Sequence, residues 1–142
     1  MTDNVSKERR REIMSSVRGK DTKPELIVRH FLFSKGFRYR LQNIKLPGKP
    51  DITLQKYKTV IFINGCFWHG HKDCKIYVMP KSNEKFWRDK IETNIARDKR
   101  NIAELKNLGW NVIILWECEL KKTIRENTLT NLIESIPNAK IL

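Results

Sequence analysis

The chain reads as one α/β domain built on a mixed sheet, and three observations point there. Residues 51–55 and 59–63 form two short strand-like segments joined by a tight polar reversal. A second continuous apolar segment, residues 112–116, has the composition of a buried strand. Around these segments run three helical patterns, with apolar residues recurring at three- and four-residue steps. Helix, strands, long helix, buried strand, helix is an order that packs in two or three layers. The 142 residues suffice for one real core and are too few for two ordinary domains.

Composition narrows the class. The chain is 39% hydrophobic and 32% charged, a soluble globular balance. Its 29 Lys and Arg against 16 acidic residues leave a net charge of +13, which favours polyanions, with nucleic acid the default partner. A ribosomal or membrane-surface protein can show the same balance. The N-terminus has no apolar signal region, and no apolar run approaches the roughly 18–20 residues that span a bilayer. A cytoplasmic protein with reduced thiols is expected, and three cysteines cannot all pair within one chain.

In chain order, residues 1–20 carry Lys7, Arg9, Arg10, Arg11, Arg18 and Lys20, with Ile13, Met14 and Val17 as an apolar stripe. This is a basic arm or helix, either simply solvated or lying along DNA phosphates; residues 21–142 form the single domain. Thr22-Lys23-Pro24-Glu25 starts a helix: Thr22 caps, Glu25 takes the capping-box position, and Pro24 suits the first turn. Leu26, Ile27, His30, Phe31 and Ser34 share one face, so His30 is expected in the core; Lys35-Gly36 closes the helix. Residues 37–41 alternate like a half-buried strand, and Pro47-Gly48 marks a turn.

A two-residue turn at Lys56-Tyr57 would put Asp51 opposite Phe62, with main chain 61–63 within about 5 Å of Asp51. A one-residue slip would exchange the faces. The long helix, residues 82–108, turns Trp87, Ile91, Asn94 or Ile95, Asp98, Ile102, Leu105 and Leu108 inward. Its outer face is basic, and Gly109 ends it. Strand 112–116 should lie beside strand 59–63 and deliver Cys118. The last helix, near 125–136, points Leu129, Leu132, Ile133 and Ile136 inward.

Two constellations carry chemistry. Cys66-x4-His71-x2-Cys74, with Cys118 after a buried strand, offers three thiolates and one imidazole, a common closed zinc set. His69 is also in reach as the nitrogen ligand. The alternative is three buried free cysteines and a surface histidine. The second constellation is Pro50-Asp51, a carboxylate at a strand tip, as in nucleases with a P-D…(D/E)-x-K pattern. The following strand, Ile61-Phe62-Ile63-Asn64-Gly65, supplies neither the second acid nor the lysine. A carboxylate, the Ile63 carbonyl and waters would still satisfy Mg²⁺. His69 can serve as general base, general acid or phosphate-side donor. Phe67 and Trp68, between two metal ligands, can be presented rigidly as a wedge for DNA, or can pack on the core with Trp87.

Several motifs now stand together: Asp21-Thr22-x2-Glu25, Leu46-Pro47-Gly48-Lys49-Pro50-Asp51, Asn64-Gly65-Cys66-Phe67-Trp68-His69, Phe86-Trp87, Asn94-x2-Arg97-Asp98, Leu108-Gly109-Trp110 and Trp116-Glu117-Cys118. In this order, from about residue 6 to 122, the chain resembles the very short patch repair endonucleases. The resemblance implies a restriction-endonuclease-like fold of the PD-(D/E)xK type, a central mixed sheet flanked by helices, with a structural zinc site. It implies Mg²⁺-dependent nicking of double-stranded DNA beside the T of a T:G mispair left by deamination of 5-methylcytosine.

Carried over by residue, Asp51 binds Mg²⁺ with the Ile63 carbonyl, and His69 and Glu25 are its catalytic partners. Cys66, His71, Cys74 and Cys118 hold Zn²⁺. Phe67, Trp68 and Trp87 intercalate, with Met14 joining them from the arm. A monomer working in the nucleoid, with mismatch-repair proteins as partners and no membrane, fits such a role. Two positions depart from the pattern. The step from His71 to Cys74 is one residue longer, and Asn64 stands where a second catalytic histidine is usual; Asn orients water or phosphate but carries no proton. Two other functions compete: a restriction-like nicking enzyme with another target, and a zinc-stabilised DNA-binding module without chemistry.

Overall fold

The structure, a computed structural model, describes residues 22–72, 74 and 78–137. The basic arm expected over residues 1–20, with Met14, and the motif residue Asp21 lie outside the described residues.

Helix α1 (Lys23–Ser34) begins at its expected cap, where Thr22 Oγ1 accepts the Glu25 N–H at 3.4 Å and Pro24 sits in the first turn. Its inward face is not the expected one. Glu25, Val28, Arg29 and Leu32 are buried, Ile27 and Phe31 flank the core, and Leu26, His30 and Ser34 are exposed. The period is right and the phase is wrong. The Glu25 carboxylate and Arg29 guanidinium pair at 2.9 Å one turn apart and enter the protein together, so charge does not mark the outer face here. The core position expected for His30 is therefore corrected to a surface one.

Only Arg40–Leu41 of the expected strand over 37–41 joins the ladder, as β1; Phe37 instead turns its ring into the core against Tyr57 at 5.3 Å. β2 (Ile52–Leu54) pairs antiparallel with β1 and with β3 (Thr59–Asn64). The β2–β3 register, Ile52↔Ile61 to Leu54↔Thr59, runs on to set Asp51 opposite Phe62, as the hairpin count expects. The reversal itself differs. It is a 3₁₀ turn (Gln55–Tyr57) closed by Lys58 in the left-handed region at φ 49°, not a two-residue turn.

β4 (Asn111–Trp116) runs parallel to β3, from Thr59↔Asn111 to Asn64↔Trp116, giving a mixed sheet in the order β1-β2-β3-β4. A parallel pair needs a crossover, and α2 (Glu84–Asn107) supplies it. Leu108, expected inward, is exposed. Gly109 at φ 89° turns the chain so that Trp110 takes the buried place against Val60 and Leu105. A second 3₁₀ turn (Glu117–Leu120) leads to α3 (Arg125–Ser135), whose Leu129, Leu132 and Ile133 are buried with Ile136, as expected.

Alternate β3 residues explain why that strand is apolar throughout. Ile61 faces the core shared with α1 and α3, through Val28, Leu32, Leu129 and Ile133. Val60 and Phe62 face the α2 side with Leu105 and Trp110. With both faces covered, every position is selected for burial. Among the described residues no helix is long and apolar enough to cross a membrane.

Candidate active site and metal cluster

A cleft of about 1600 Å³ opens where β2 begins and where the parallel strands β3 and β4 both end. Glu25, Asp51, Ile63, Asn64, His69 and Asp98 all line it, so the four expected catalytic residues come together. Asp51 precedes β2 and is half-buried. Its Oδ2 accepts the Ile63 N–H at 2.7 Å, and its Oδ1 accepts the Gln42 side-chain amide at 3.4 Å. Burial pushes its carboxyl above the usual range, the largest influence. The Ile63 and Gln42 hydrogen bonds and the charges of His69 and Arg29 pull it back.

The proline before Asp51 has a physical role in this geometry. Continued by two residues, the β2–β3 register sets Ile63 across from Pro50. A regular ladder would there bond the Ile63 carbonyl to an N–H that proline lacks. In extended backbone a residue's N–H and carbonyl lie on one side of the strand, so the Ile63 N–H bond to Asp51 puts its carbonyl on the β2 side as well.

His69 comes from the loop after β3, and its Nδ1 lies 2.6 Å from Asp98 Oδ2 on α2. With Nδ1–H donated to the carboxylate, Nε2 is left as the nitrogen able to take a proton. The loop is pressed onto α2 at Gly70, whose φ is 59°; a Cβ there would meet Ile95 Cδ1 at 2.6 Å and Ile91 Cγ2 at 2.8 Å. Asn94 also holds the loop, donating to the Trp68 carbonyl at 2.9 Å. Glu25 is buried and paired with Arg29, and Asn64 is buried at the end of β3.

Asp98, Gln42, Asn94 and Glu117 carry no assigned role in the sequence reading. For Asp98 the signal was an acid on an otherwise apolar helical stripe. Gln42 gave no local signal and Glu117 stood only as part of the Trp116-Glu117-Cys118 motif, because their partners, Asp51 and the Cys66 N–H (2.8 Å to Glu117 Oε1), are distant in the chain.

The ligand atoms of Cys66, His71, Cys74 and Cys118 all lie within 4.8 Å of one another, a group that could hold a metal ion. Parallel pairing makes this possible: the segments carrying Cys66 and Cys118 leave the sheet at the same end, past Asn64↔Trp116. The nitrogen in the cluster belongs to His71, not His69. Its ring stacks on Trp116 at 4.1 Å with 5° between planes, and its Nδ1 is 3.4 Å from Cys118 Sγ. Burial pushes the Cys66 and Cys118 thiols up, so an ion would be needed to hold them as thiolates. Three sulfurs and one nitrogen at this spacing match a closed tetrahedral set.

Beside the cleft, the rings of Phe67, Trp68 and Trp87 meet edge to face, with centroids 5.2–5.7 Å apart. They are half-buried against one another, and the exposed Phe86 ring stacks on Trp87 at 5.1 Å.

A family model described as DNA mismatch endonuclease Vsr matches residues 2–76 of this chain. The type II nicking enzyme V.NmeAIP of Neisseria meningitidis serogroup A is 49% identical over 140 residues, covering 98% of this chain and 99% of that one. The type II nicking enzyme V.XorIIP of Xanthomonas oryzae pv. oryzae is 51% identical over 120 residues, with coverage of 84% and 88%. DNA mismatch endonuclease Vsr of Escherichia coli (strain K12) is 38% identical over 136 residues, with coverage of 94% and 86%.

Proposed function

The chain belongs to the DNA mismatch endonuclease Vsr family, and from that premise we propose that it nicks duplex DNA beside the T of a T:G mispair, by Mg²⁺-dependent phosphodiester hydrolysis on a restriction-endonuclease-like fold. That it is a DNA endonuclease follows from the family. The observation that carries the finer reading is the meeting, in one cleft, of a strand-tip carboxylate and a carboxylate-held histidine, with an aromatic cluster at its side.

In this reading Asp51 and the Ile63 carbonyl hold the cation. Mg²⁺ there would supply charge stabilisation to the phosphate and its leaving oxygen. His69, with Nδ1 held by Asp98, takes the proton of the attacking water at Nε2. Glu25 faces the same cleft as a second acidic partner. Asn64 contributes an amide that orients water or phosphate and transfers no proton.

Zn²⁺ is the ion proposed for Cys66, His71, Cys74 and Cys118, where it would pin the loop carrying His69, Phe67 and Trp68. Phe67, Trp68 and Trp87, with Met14 from the basic arm over residues 1–20, would wedge into the duplex. Unstacking costs a few kcal/mol and is cheapest at a mispair, which makes the wedge a source of selectivity.

A second reading is favoured by the names of the relatives called type II nicking enzymes: nicking of a different target. One assay separates the readings, comparing a T:G duplex with its T:A control, with and without Mg²⁺, for wild type and Asp51→Ala. Cleavage of T:G alone, lost without Mg²⁺ and in Asp51→Ala, is expected. Equal cutting of both duplexes supports the second reading. Binding without any Mg²⁺-dependent cut by folded, zinc-containing protein overturns both.

A further inference from the structure

We propose that Gln42 is a positioning residue that orients the Asp51 carboxylate to receive a divalent cation, an inference that rests on Asp51 being a cation ligand. Gln42 lies one residue beyond β1. The β1–β2 register, Arg40↔Thr53 and Leu41↔Ile52, continues to set it directly across from Asp51. It makes two contacts there. Its backbone N–H donates to the Asp51 carbonyl at 3.2 Å, fixing the main chain, and its side-chain amide donates to Oδ1 at 3.4 Å. The Ile63 N–H holds Oδ2. Each carboxylate oxygen thus has one neutral donor, which restrains rotation about Cβ–Cγ and leaves further lone pairs directed into the cleft.

The backbone supplies a second observation. Gln42 has φ 48°, in the left-handed region that glycine enters freely and asparagine more easily than glutamine. A turn that needed only this conformation would be better served by either. What glutamine adds is reach: its amide extends one methylene further, to the carboxylate. Strain retained at a cleft-lining residue, with its side chain on the proposed cation ligand, is the arrangement expected when orientation of that ligand is what the residue supplies.

The test separates backbone from side chain. Gln42→Gly relieves the strain and removes the amide; Gln42→Asn keeps a tolerant backbone and stops one methylene short. Mn²⁺ binding is measured by electron paramagnetic resonance on DNA-free, zinc-containing protein, for wild type, Asp51→Ala and both variants, with Tm recorded for each. Wild type should bind Mn²⁺ and Asp51→Ala should lose that site. Both Gln42 variants should bind on the order of 10-fold more weakly. Gln42→Gly should meanwhile keep its Tm or gain roughly 2–4 °C. A merely structural role would move Tm and leave Mn²⁺ affinity alone. Wild-type Mn²⁺ affinity in both variants, with the site lost in Asp51→Ala, overturns the positioning role and leaves the cation reading standing. No Asp51-dependent Mn²⁺ site in the wild type overturns both.

Discussion

Gly70→Ala should destabilise the protein by about 2–4 kcal/mol, whereas Gly65→Ala, in the same loop, should be close to neutral. At residue 70 an added Cβ would lie 2.6 Å from Ile95 Cδ1, 2.8 Å from Ile91 Cγ2 and 3.2 Å from Ile95 Cγ1. Ile91 is fully buried, so it cannot swing aside without opening the packing between loop and helix. Overpacking of this kind costs roughly 1–3 kcal/mol, and an alanine at φ 59° adds about 1 kcal/mol. At residue 65 the nearest atoms would be Trp68 Cδ1 at 3.6 Å and Glu117 Oε1 at 3.8 Å, ordinary contacts. Thermal denaturation reads the difference: at about 3 °C per kcal/mol, Gly70→Ala should lose roughly 6–12 °C. Because His69 and His71 flank Gly70, bound zinc and nicking rate should fall with it. A Gly70→Ala protein within about 1 °C of wild type, or equal damage from Gly65→Ala, would refute the packing of this loop on α2.

Three further outcomes are expected. Asp98→Asn should cut the nicking rate by about 10²-fold while leaving DNA binding intact, since it removes the carboxylate that orients His69; an unchanged single-turnover rate would dismiss the pair. Asp51→Asn should abolish nicking yet raise Tm near neutral pH in metal-free buffer. Burial raises the folded-state pKa of Asp51, so its contribution to stability is fully present below the unfolded pKa and is lost as pH rises through the folded value. The Tm gain should therefore shrink as pH falls through that window, and a gain that grows towards acid would contradict the burial argument. Cys118→Ser should lose bound zinc and stability, and zinc uptake by the wild type should weaken as pH falls, because raised thiols must release protons to bind. Stoichiometric zinc with an unshifted Tm in Cys118→Ser would remove that residue from the cluster.

Much of this was legible in the chain because the relevant signals are local. The start of α1, the apolar strands 59–63 and 112–116 and the inward face of α3 all follow from period and end signals that a short window contains. The β2–β3 register was legible because the observed 3₁₀ reversal and a two-residue turn at 56–57 lead to the same first pair, Leu54↔Thr59. The phase of α1 was not, because the pair that reverses it, Glu25 with Arg29, looks like surface charge until the partner is known to be buried too. Asp51, His69 and the Cys/His cluster announce themselves by residue type and spacing. The groups that orient them do not. Gln42 is nine residues from Asp51, Asp98 is 29 from His69 and Glu117 is 51 from Cys66, so their roles exist only after the sheet and crossover have formed.

In the proposed mechanism the cleft works with a single histidine, and the loop carrying it leaves the sheet at Asn64. Of the three histidines, His30 is on the surface and His71 stands in the metal cluster, which leaves His69 as the imidazole lining the cleft. A lone base must be held in the correct tautomer and aimed, because no second imidazole can share or redirect the proton. Two restraints do this from opposite sides. Asp98 holds the ring from α2, and an ion in the cluster of Cys66, His71, Cys74 and Cys118 would fix the backbone on both sides of His69. Both depend on β3 and β4 ending level at Asn64↔Trp116. From there one strand passes through Gly65 to Cys66, and the other passes through Glu117, which takes the Cys66 N–H, to Cys118. A buried amide at residue 64 can sit at that seam without a charge to desolvate, whereas a protonated imidazole there would add one beside the Cys/His cluster. In the proposed mechanism, proton transfer at this cleft would therefore rest on His69 alone, and metal removal should lower the nicking rate as well as Tm.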